Sequence, residues 1–280
     1  MSVVLRGLID SVDLAVYSYV KPGAPHRYSV RFKDLHLYVA TLTSALKHYM
    51  RAIELGGRVA TGALGFVDVD IGSLVRDSIQ DNITHVRRVQ LPEIHVFLIP
   101  ACIASTYAIK LKERFTTQVY INARKSLLSY SKPQGVLKVY EAFKNVGGDV
   151  GRALYESGIT PNKVVVESLT LEEFLNLLSN HYKYIDFTTS RHNAVVEASN
   201  TFLREYEKEN DLNTSVLAAY SSLLSSIGSE LKPQLKQKTK EDFKKALELD
   251  TELSSRNIDY TPLLSPLAEA ILIGLLTIYS

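Results

Sequence analysis

The 280-residue chain has one cysteine, Cys102, no tryptophan and a net charge of only +2. A single thiol excludes a fold held together by disulfides and is typical of a reducing compartment, so we expect a cytoplasmic location. The near-neutral charge provides no general field for phosphate backbones and argues against a nucleic-acid partner. What the chain does have is 46% hydrophobic residues, which excludes intrinsic disorder and allows a large core.

Long uninterrupted apolar runs are also missing. The two most apolar stretches, 94–109 and 263–279, each contain a proline and a histidine or glutamate. A helix that crosses a bilayer needs about 20 apolar residues without such interruptions. We therefore expect buried core helices and no membrane partner. The second stretch is equally compatible with a dimer interface, which leaves a homodimer open.

Apolar residues recur at helical spacing along most of the chain. Thr170 and Glu173 have the spacing of a capping box, which marks the start of one helix. The predicted helices cover residues 3–20, 35–55, 70–80, 92–115, 136–146, 170–181, 185–206, 216–238, 240–253 and 263–279. Strand signals are few and short. The sequence predicts an all-α protein, a single multi-helix domain of about ten helices over residues 1–280.

A stiff basic loop follows the first predicted helix, where residues 21–27 read KPGAPHR. Two prolines and Gly23 restrict the backbone, and Lys21, His26 and Arg27 supply basic side chains. Ordered donors lose less entropy on binding, so such a loop suits an anion such as a polyphosphate. An ordinary helix connection with solvated charges is the alternative. Downstream, Asp34 adds a carboxylate for Mg²⁺ or for proton abstraction.

Two further groups of polar residues have helical spacing. Asp70 and Asp77 lie two turns apart on one predicted helical face. Such carboxylates can hold Mg²⁺ with a substrate phosphate, or they can simply favour a helix N-terminus. Asp186, Asn193 and Glu197 also share a face, which could meet a ligand or cap a neighbouring helix. Spacing alone does not decide between these alternatives.

Other catalytic patterns are missing from the sequence. None of the seven histidines has the spacing of a zinc site, and no serine lies in a GxSxG motif. His95, within an apolar run, is expected to be a hydrogen-bonded core residue. Cys102 is expected to be a buried structural thiol.

The order of these segments resembles the triphosphoribosyl-dephospho-CoA synthase family, its archaeal members in particular. The KPG sequence followed by His26 and Arg27 resembles the family signature KPGxV[DH]R, and Asp34 with the apolar helix after it resembles a DxxxF segment. The remaining matches are Ile71–Leu74 with an IG-E-L/I element, Val96–Pro100 with LLLxPL, Lys183–Asp186 with an RD segment, and Leu249–Ile258 with a DxxLxxxxI stretch.

The resemblance implies an all-helical enzyme that binds a nucleotide and a coenzyme-A-like substrate. Its reaction moves the 5-triphosphoribosyl group of ATP to the 2′-hydroxyl of 3′-dephospho-CoA and releases adenine, with Mg²⁺ as cofactor. The implied roles are substrate binding for Lys21, Gly23 and Arg27, catalysis for His26, Asp34 and Asp186, and metal binding for Asp34 and Asp70. The family motifs GGNTxxG and NPGxxADLL have no clear counterpart at 87–93 and 259–267. This departure leaves two alternatives open: a non-catalytic protein that binds such ligands, or transfer to a different acceptor.

Overall fold

The computed structural model describes residues 2–29, 34–229, 231 and 237–280. Across these residues all regular structure is helical, which confirms the all-α prediction with more and shorter helices than expected. The α-helices are α1 (Ser2–Tyr17), α2 (His36–Ser44), α3 (Leu46–Ala60), α4 (Ile71–His85), α5 (Ile94–Lys112), α6 (Thr117–Ser129), α7 (Pro133–Val146), α8 (Gly148–Glu156), α9 (Pro161–Val166), α10 (Leu171–Ser179), α11 (His192–Glu209), α12 (Leu212–Ser226), α13 (Lys240–Ser255) and α14 (Leu264–Tyr279). Short 3-10 helices lie at Phe66–Asp68, Lys183–Thr188 and Thr261–Leu263.

Helices α5 and α14 form the centre of the fold. Residues 264–276 of α14 and 94–106 of α5 are buried without exception. Helix α14 packs against α1, α5, α11 and α12, while α5 also packs against α3, α4 and α6. Burial of apolar surface stabilises the folded state by about 25 cal/mol per Å², so these two helices contribute strongly to stability. Residues 264–276 are therefore core.

The same two helices are the ones in the described chain that are long and apolar enough to cross a membrane. However, 78% of the apolar window of α5 and 83% of that of the segment Thr261–Tyr279 are buried inside the fold. Such burial is what the core helices of a soluble protein show. The expectation of core helices is confirmed.

The helix predicted for residues 35–55 does not end before the glycines at 56 and 57. Helix α3 continues through both of them to Ala60. A Cβ atom on Gly56 would lie 2.3 Å from the carbonyl oxygen of Ile103 in α5. Glycine is needed there because α3 and α5 approach closely, and it is kept despite its low helix propensity.

The predicted helix 185–206 is divided in the structure. A 3-10 helix ends at Thr188 and α11 begins at His192. The hydroxyl of Thr188 donates to the carbonyl of Ile185 at 2.6 Å, a local bond of the kind that competes with regular helix. The capping box at Thr170 and Glu173, by contrast, is formed as predicted. Helices α6, α8 and α9 were not predicted from the apolar pattern.

Candidate active site

A cavity of about 390 Å³ lies where four parts of the chain meet. These parts are the start of α2, the segment 88–93 before α5, the start of α8, and the segment 259–262 before α14. Tyr182, just ahead of the second 3-10 helix, completes the wall. This volume is within the range of small-molecule sites. Its polar lining comprises Asp34, Tyr38, Arg88, Gln90, Glu93, Asp149, Tyr182, Asp259 and Thr261.

Glu93 is the buried acidic group of this cavity. Its residue is only 3% exposed, and its Oε1 accepts a hydrogen bond from the hydroxyl of Tyr182 at 2.5 Å. Burial raises the pKa of Glu93 to about 7, with the negative charge of Asp149 acting in the same direction. Perturbed groups of this kind in a cavity are candidates for proton transfer. Glu93 can both give and take a proton near neutral pH.

Three more carboxylates line the same cavity and are exposed to solvent: Asp34, Asp149 and Asp259. The lining contains a single cationic side chain among the described residues, Arg88. Counted over the described residues alone, the lining carries more negative than positive charge. An acidic cavity stabilises positive charge that develops in a substrate, and a buried neutral acid beside it can protonate a leaving group.

The basic loop of residues 21–27 does not face solvent as the sequence predicts. Lys21 and His26 are fully buried, whereas Arg27 is exposed. The ammonium of Lys21 donates to the hydroxyl of Ser18 at 2.9 Å, and burial together with the nearby charge of Arg27 lowers its pKa to about 7. Two of the three basic side chains are thus part of the protein interior.

Helix α13 anchors this loop through one carboxylate. Asp250 accepts a hydrogen bond from the amide of Gly23 at 2.8 Å, and its other oxygen lies 3.3 Å from Nε2 of His26. Burial lowers the pKa of His26, although Asp250 acts against this. The contacts of Asp250 with Gly23 and His26 hold the loop in the interior.

The loop also supports the wall of the cavity. The amide of Tyr260, which lies between the lining residues Asp259 and Thr261, donates to the carbonyl of Gly23 at 2.8 Å. Gly23 has a φ of +79°, and a Cβ atom there would lie 2.8 Å from the Tyr260 ring. Gly23 therefore holds the segment 259–262 in place. This role is indirect, whereas the sequence predicts that Gly23 contacts the substrate.

Arg27 is the one predicted phosphate-binding cation that reaches the surface of the described chain. Its Nε donates to the carbonyl of Tyr17, and one terminal nitrogen lies 3.4 Å from the side-chain oxygen of Asn213. Both of these partners are neutral, and a nearby negative charge that acts on Arg27 is that of Asp13. Arg27 therefore remains able to attract an anion.

Asp70 lies away from the cavity and is already engaged. It caps the N-terminus of α4 by accepting from the amide of Ser73 at 2.9 Å, and Nζ of Lys138 lies 2.5 Å from its other oxygen. Burial acts to raise the pKa of Asp70, but hydrogen bonds from Lys138 and Ser73 outweigh it and lower the pKa. The geometry favours the capping alternative over the metal-ligand alternative.

Asp186 is also engaged by a neighbour. Its Oδ2 lies 2.6 Å from Nε of Arg191, while its Oδ1 is buried without a hydrogen-bond partner in the described chain. Burial raises the pKa of Asp186, although Arg191 acts in the opposite direction. Asp186 does not line the cavity that contains Asp34. Of the predicted catalytic and metal-binding residues, the structure places only Asp34 in it.

His95 and Cys102 have the structural roles that the sequence predicts. Nδ1 of His95 lies 2.7 Å from the hydroxyl of Tyr49, and its Nε2 lies 2.7 Å from Oδ1 of Asn82. Burial lowers the pKa of His95 to about 3, so the ring stays neutral. Cys102 is fully buried, and burial raises the pKa of its thiol. Neither residue is available for chemistry.

The sequence interpretation missed Glu93, Tyr182 and Asp149. A single glutamate before an apolar helix carries no signal of its own, because its burial depends on residues far away in the chain. One signal was present: Glu93 lies within 87–93, the segment aligned with the family's glycine-rich motif. That segment forms one wall of the cavity.

The described residues contain no preformed cluster of metal-binding side chains. They contain no group of three or more histidine, cysteine or acidic side chains placed to hold an ion. Mg²⁺ is usually held by only one or two carboxylates together with substrate phosphates, so the lack of such a cluster does not test the predicted Mg²⁺.

No protein-family model, curated protein or solved structure matches the chain significantly. The family resemblance therefore rests on the segments of this sequence that carry it.

Proposed function

We propose that this protein is a transferase that moves a ribosyl group from a nucleotide to an acceptor hydroxyl in the cavity around Glu93. The specific reaction we propose is transfer of the 5-triphosphoribosyl group of ATP to the 2′-hydroxyl of 3′-dephospho-CoA. The observation that supports it most is the combination of a buried acid, Glu93, with exposed carboxylates in one cavity. The family resemblance supplies the choice of substrates.

The charge of the cavity suits this chemistry. When the bond between C1′ and the adenine nitrogen breaks, positive charge develops on the ribose, as in glycosyl transfer generally. Carboxylates at Asp34, Asp149 and Asp259 stabilise that charge. The triphosphate is negatively charged and is repelled by the same carboxylates. The substrate would enter as the magnesium complex of ATP, with its phosphates directed toward Arg88, the cation of the described lining.

Two carboxyl groups carry out the proton transfers in this scheme. Protonated Glu93 gives its proton to the departing adenine, so that the base leaves neutral. The acceptor hydroxyl attacks C1′ and gives its proton to Asp34. Transfer of a proton by a positioned side chain contributes about 10²–10⁴-fold to such a rate. Tyr182 orients Glu93 through its hydrogen bond and is a positioning residue.

The test is release of adenine from ATP in the presence of Mg²⁺ and 3′-dephospho-CoA, measured by chromatography. We expect Glu93→Gln and Asp34→Asn each to reduce the rate about 100-fold. Asp70→Asn is the matched control, because asparagine retains the helix cap and the residue lies outside the cavity. Loss of activity in Asp70→Asn together with normal activity in the two cavity variants would place the site elsewhere.

A non-catalytic ligand-binding protein is the second candidate. It is favoured by the burial of Lys21 and His26, which removes two of the predicted contacts to substrate. Thermal stabilisation by ATP without adenine release from any acceptor alcohol would support it over the enzyme. Adenine release with a different alcohol would instead identify another acceptor. A cytoplasmic location, the lack of membrane and nucleic-acid partners, and a homodimer stay predictions.

A further inference from the structure

A second cavity, of about 400 Å³, lies beyond the end of the 3-10 helix Lys183–Thr188. It is bounded by α6, α10 and the beginning of α11. Six of its polar lining residues are Arg124, Lys125, Asn176, Thr189, His192 and Asn193. The proposed transferase reaction uses none of them. Most of this lining can donate hydrogen bonds, in contrast to the acidic first cavity.

His192, at the floor of this second cavity, is held in one orientation. Its Nε2 lies 2.9 Å from Oε1 of Glu269, a fully buried residue of α14. Nε of Arg124 lies 2.6 Å from the same oxygen. Burial acts to raise the pKa of Glu269, but Arg124 and His192 outweigh it and lower the pKa, so the group is a carboxylate. A carboxylate only accepts hydrogen bonds, so Nε2 of His192 carries a proton.

This pairing leaves Nδ1 as the acceptor nitrogen of the ring. Burial and the charge of Arg124 lower the pKa of His192, so the imidazole is neutral at neutral pH. Within the described chain, no group donates a hydrogen bond to Nδ1. A ring oriented by a buried carboxylate, with a free acceptor nitrogen at a cavity, is prepared to accept a proton or hydrogen bond from a ligand.

Two sources of positive potential belong to the same cavity. Lys125 is exposed on the cavity wall and forms no ion pair with a described carboxylate. Helix α11, 18 residues long, begins in the same wall, and its N-cap residue Arg191 makes no side-chain cap. In the first turn of α11 the amides of His192 and Ala194 already donate to the carbonyls of Thr189 and Arg191. The amide of Asn193 and the helix dipole favour an anion at this position.

We propose that the second cavity binds a small ligand that carries both an oxyanion group and a hydroxyl. Lys125 and the amide of Asn193 at the start of α11 hold the oxyanion, and the hydroxyl donates to Nδ1 of His192. Glu172, whose carboxylate accepts a hydrogen bond from Ser129, lines the same cavity. It repels a ligand that offers only negative charge, so the ligand must present a hydrogen-bond donor as well.

Inorganic phosphate is the simplest probe, because hydrogen phosphate has both charged oxygens and a hydroxyl. We expect saturable binding by calorimetry, and a change in the ¹⁵N signal of Nδ1 of His192 in the labelled full-length protein. Sulfate at the same ionic strength has no hydroxyl at neutral pH and is expected to bind about tenfold more weakly. Equal binding of sulfate and phosphate would overturn the role given to His192.

Two exposed lysines give a matched pair of variants. Lys125→Ala should weaken phosphate binding about tenfold, since it removes one charge-assisted hydrogen bond. Lys144→Ala, on the exposed end of α7, should leave binding unchanged. His192 variants are avoided because they would leave Glu269 with fewer partners in the core. No phosphate binding to the folded protein, or equal loss in both lysine variants, would overturn the site. None of these measurements depends on the transferase activity.

Discussion

Glu93 and Glu269 are both buried glutamates, yet their pKa values move in opposite directions. Burial raises the pKa of Glu93 to about 7, and its side-chain partner is the neutral hydroxyl of Tyr182. Glu269 also loses its hydration, but Arg124 and His192 more than compensate and lower its pKa. Removal from water costs both carboxylates a similar amount. The charge of the partner therefore decides which form is stable.

This difference separates two roles. Glu269 stays ionised through the neutral range, so it can orient His192 and bind Arg124 but cannot exchange a proton there. Glu93 changes protonation near neutral pH and lines an open cavity. A buried acid with a cationic partner is structural, whereas a buried acid with only a neutral partner is available for proton transfer.

Removal of the cationic partner should give the largest effect. Arg124→Met leaves the Glu269 carboxylate buried with His192 and Tyr120, and we expect a loss of about 3 to 5 kcal/mol in the free energy of unfolding. Urea denaturation at pH 7 measures it. Arg124→Lys keeps the charge but loses the paired geometry, and serves as the control with a smaller loss. A loss below about 1 kcal/mol in Arg124→Met would contradict the assigned charge on Glu269.

The second prediction concerns pH and the other glutamate. Because the folded pKa of Glu93 is about 7 against an ordinary value of 4.5, its proton is bound more tightly in the folded state. This contribution to stability is complete below pH 4.5 and is lost as the pH rises through 7. Glu93→Gln imitates the protonated form, so it should be more stable than wild type at pH 8, by on the order of 3 kcal/mol, and nearly equal at pH 4.5.

Denaturation curves at several pH values measure this difference, and Glu269→Gln is the matched comparison. That variant should be less stable than wild type at pH 8 as well as at pH 5, because it removes the anion that Arg124 needs. If both glutamine variants changed stability in the same direction at pH 8, the contrast between the two glutamates would be wrong.

The opposite pKa shifts of Glu93 and Glu269 could not be predicted from the sequence. The helical pattern predicts the fold class because apolar periodicity is local, and α5 and α14 are visible as apolar stretches. Asp34 was also placed in a candidate site, since it follows a recognisable loop. The partners of Glu93 and Glu269, however, are 89 and 77 or more positions away in the chain. Local spacing carries no information about such pairs.

The basic loop of residues 21–27 also shows that a local sequence pattern does not reveal distant partners. Three basic residues in a stiff loop predict an anion site, but the pattern cannot show that Asp250, on a distant helix, faces His26 in the interior. Lys21 and His26 in this loop are buried instead of exposed to a ligand. The loop positions the cavity wall through Gly23 and Tyr260.

The third prediction concerns removal of the neutral partner of Glu93. Tyr182→Phe removes the hydroxyl that donates to Glu93 and leaves that oxygen buried without its side-chain donor, so we expect a loss of about 2 kcal/mol. This hydrogen bond lowers the pKa of Glu93, and its removal should move the pH midpoint of the stability difference upward. An unchanged midpoint would show that the hydroxyl does not act on the ionised form.

Tyr120→Phe is the corresponding change at Glu269 and should have the smallest effect. The hydroxyl of Tyr120 donates to Oε1 of Glu269, but the same oxygen also faces Nε of Arg124 and Nε2 of His192. Because those donors remain, we expect a loss of about 1 kcal/mol and no new pH dependence between pH 5 and 8. A titration that appeared in this range would mean that Glu269 is held ionised by the tyrosine as much as by the arginine. The pKa values of the two glutamates would then differ only in degree. Glu269 would also no longer fix the proton on Nε2 of His192, which the proposed ligand site in the second cavity requires.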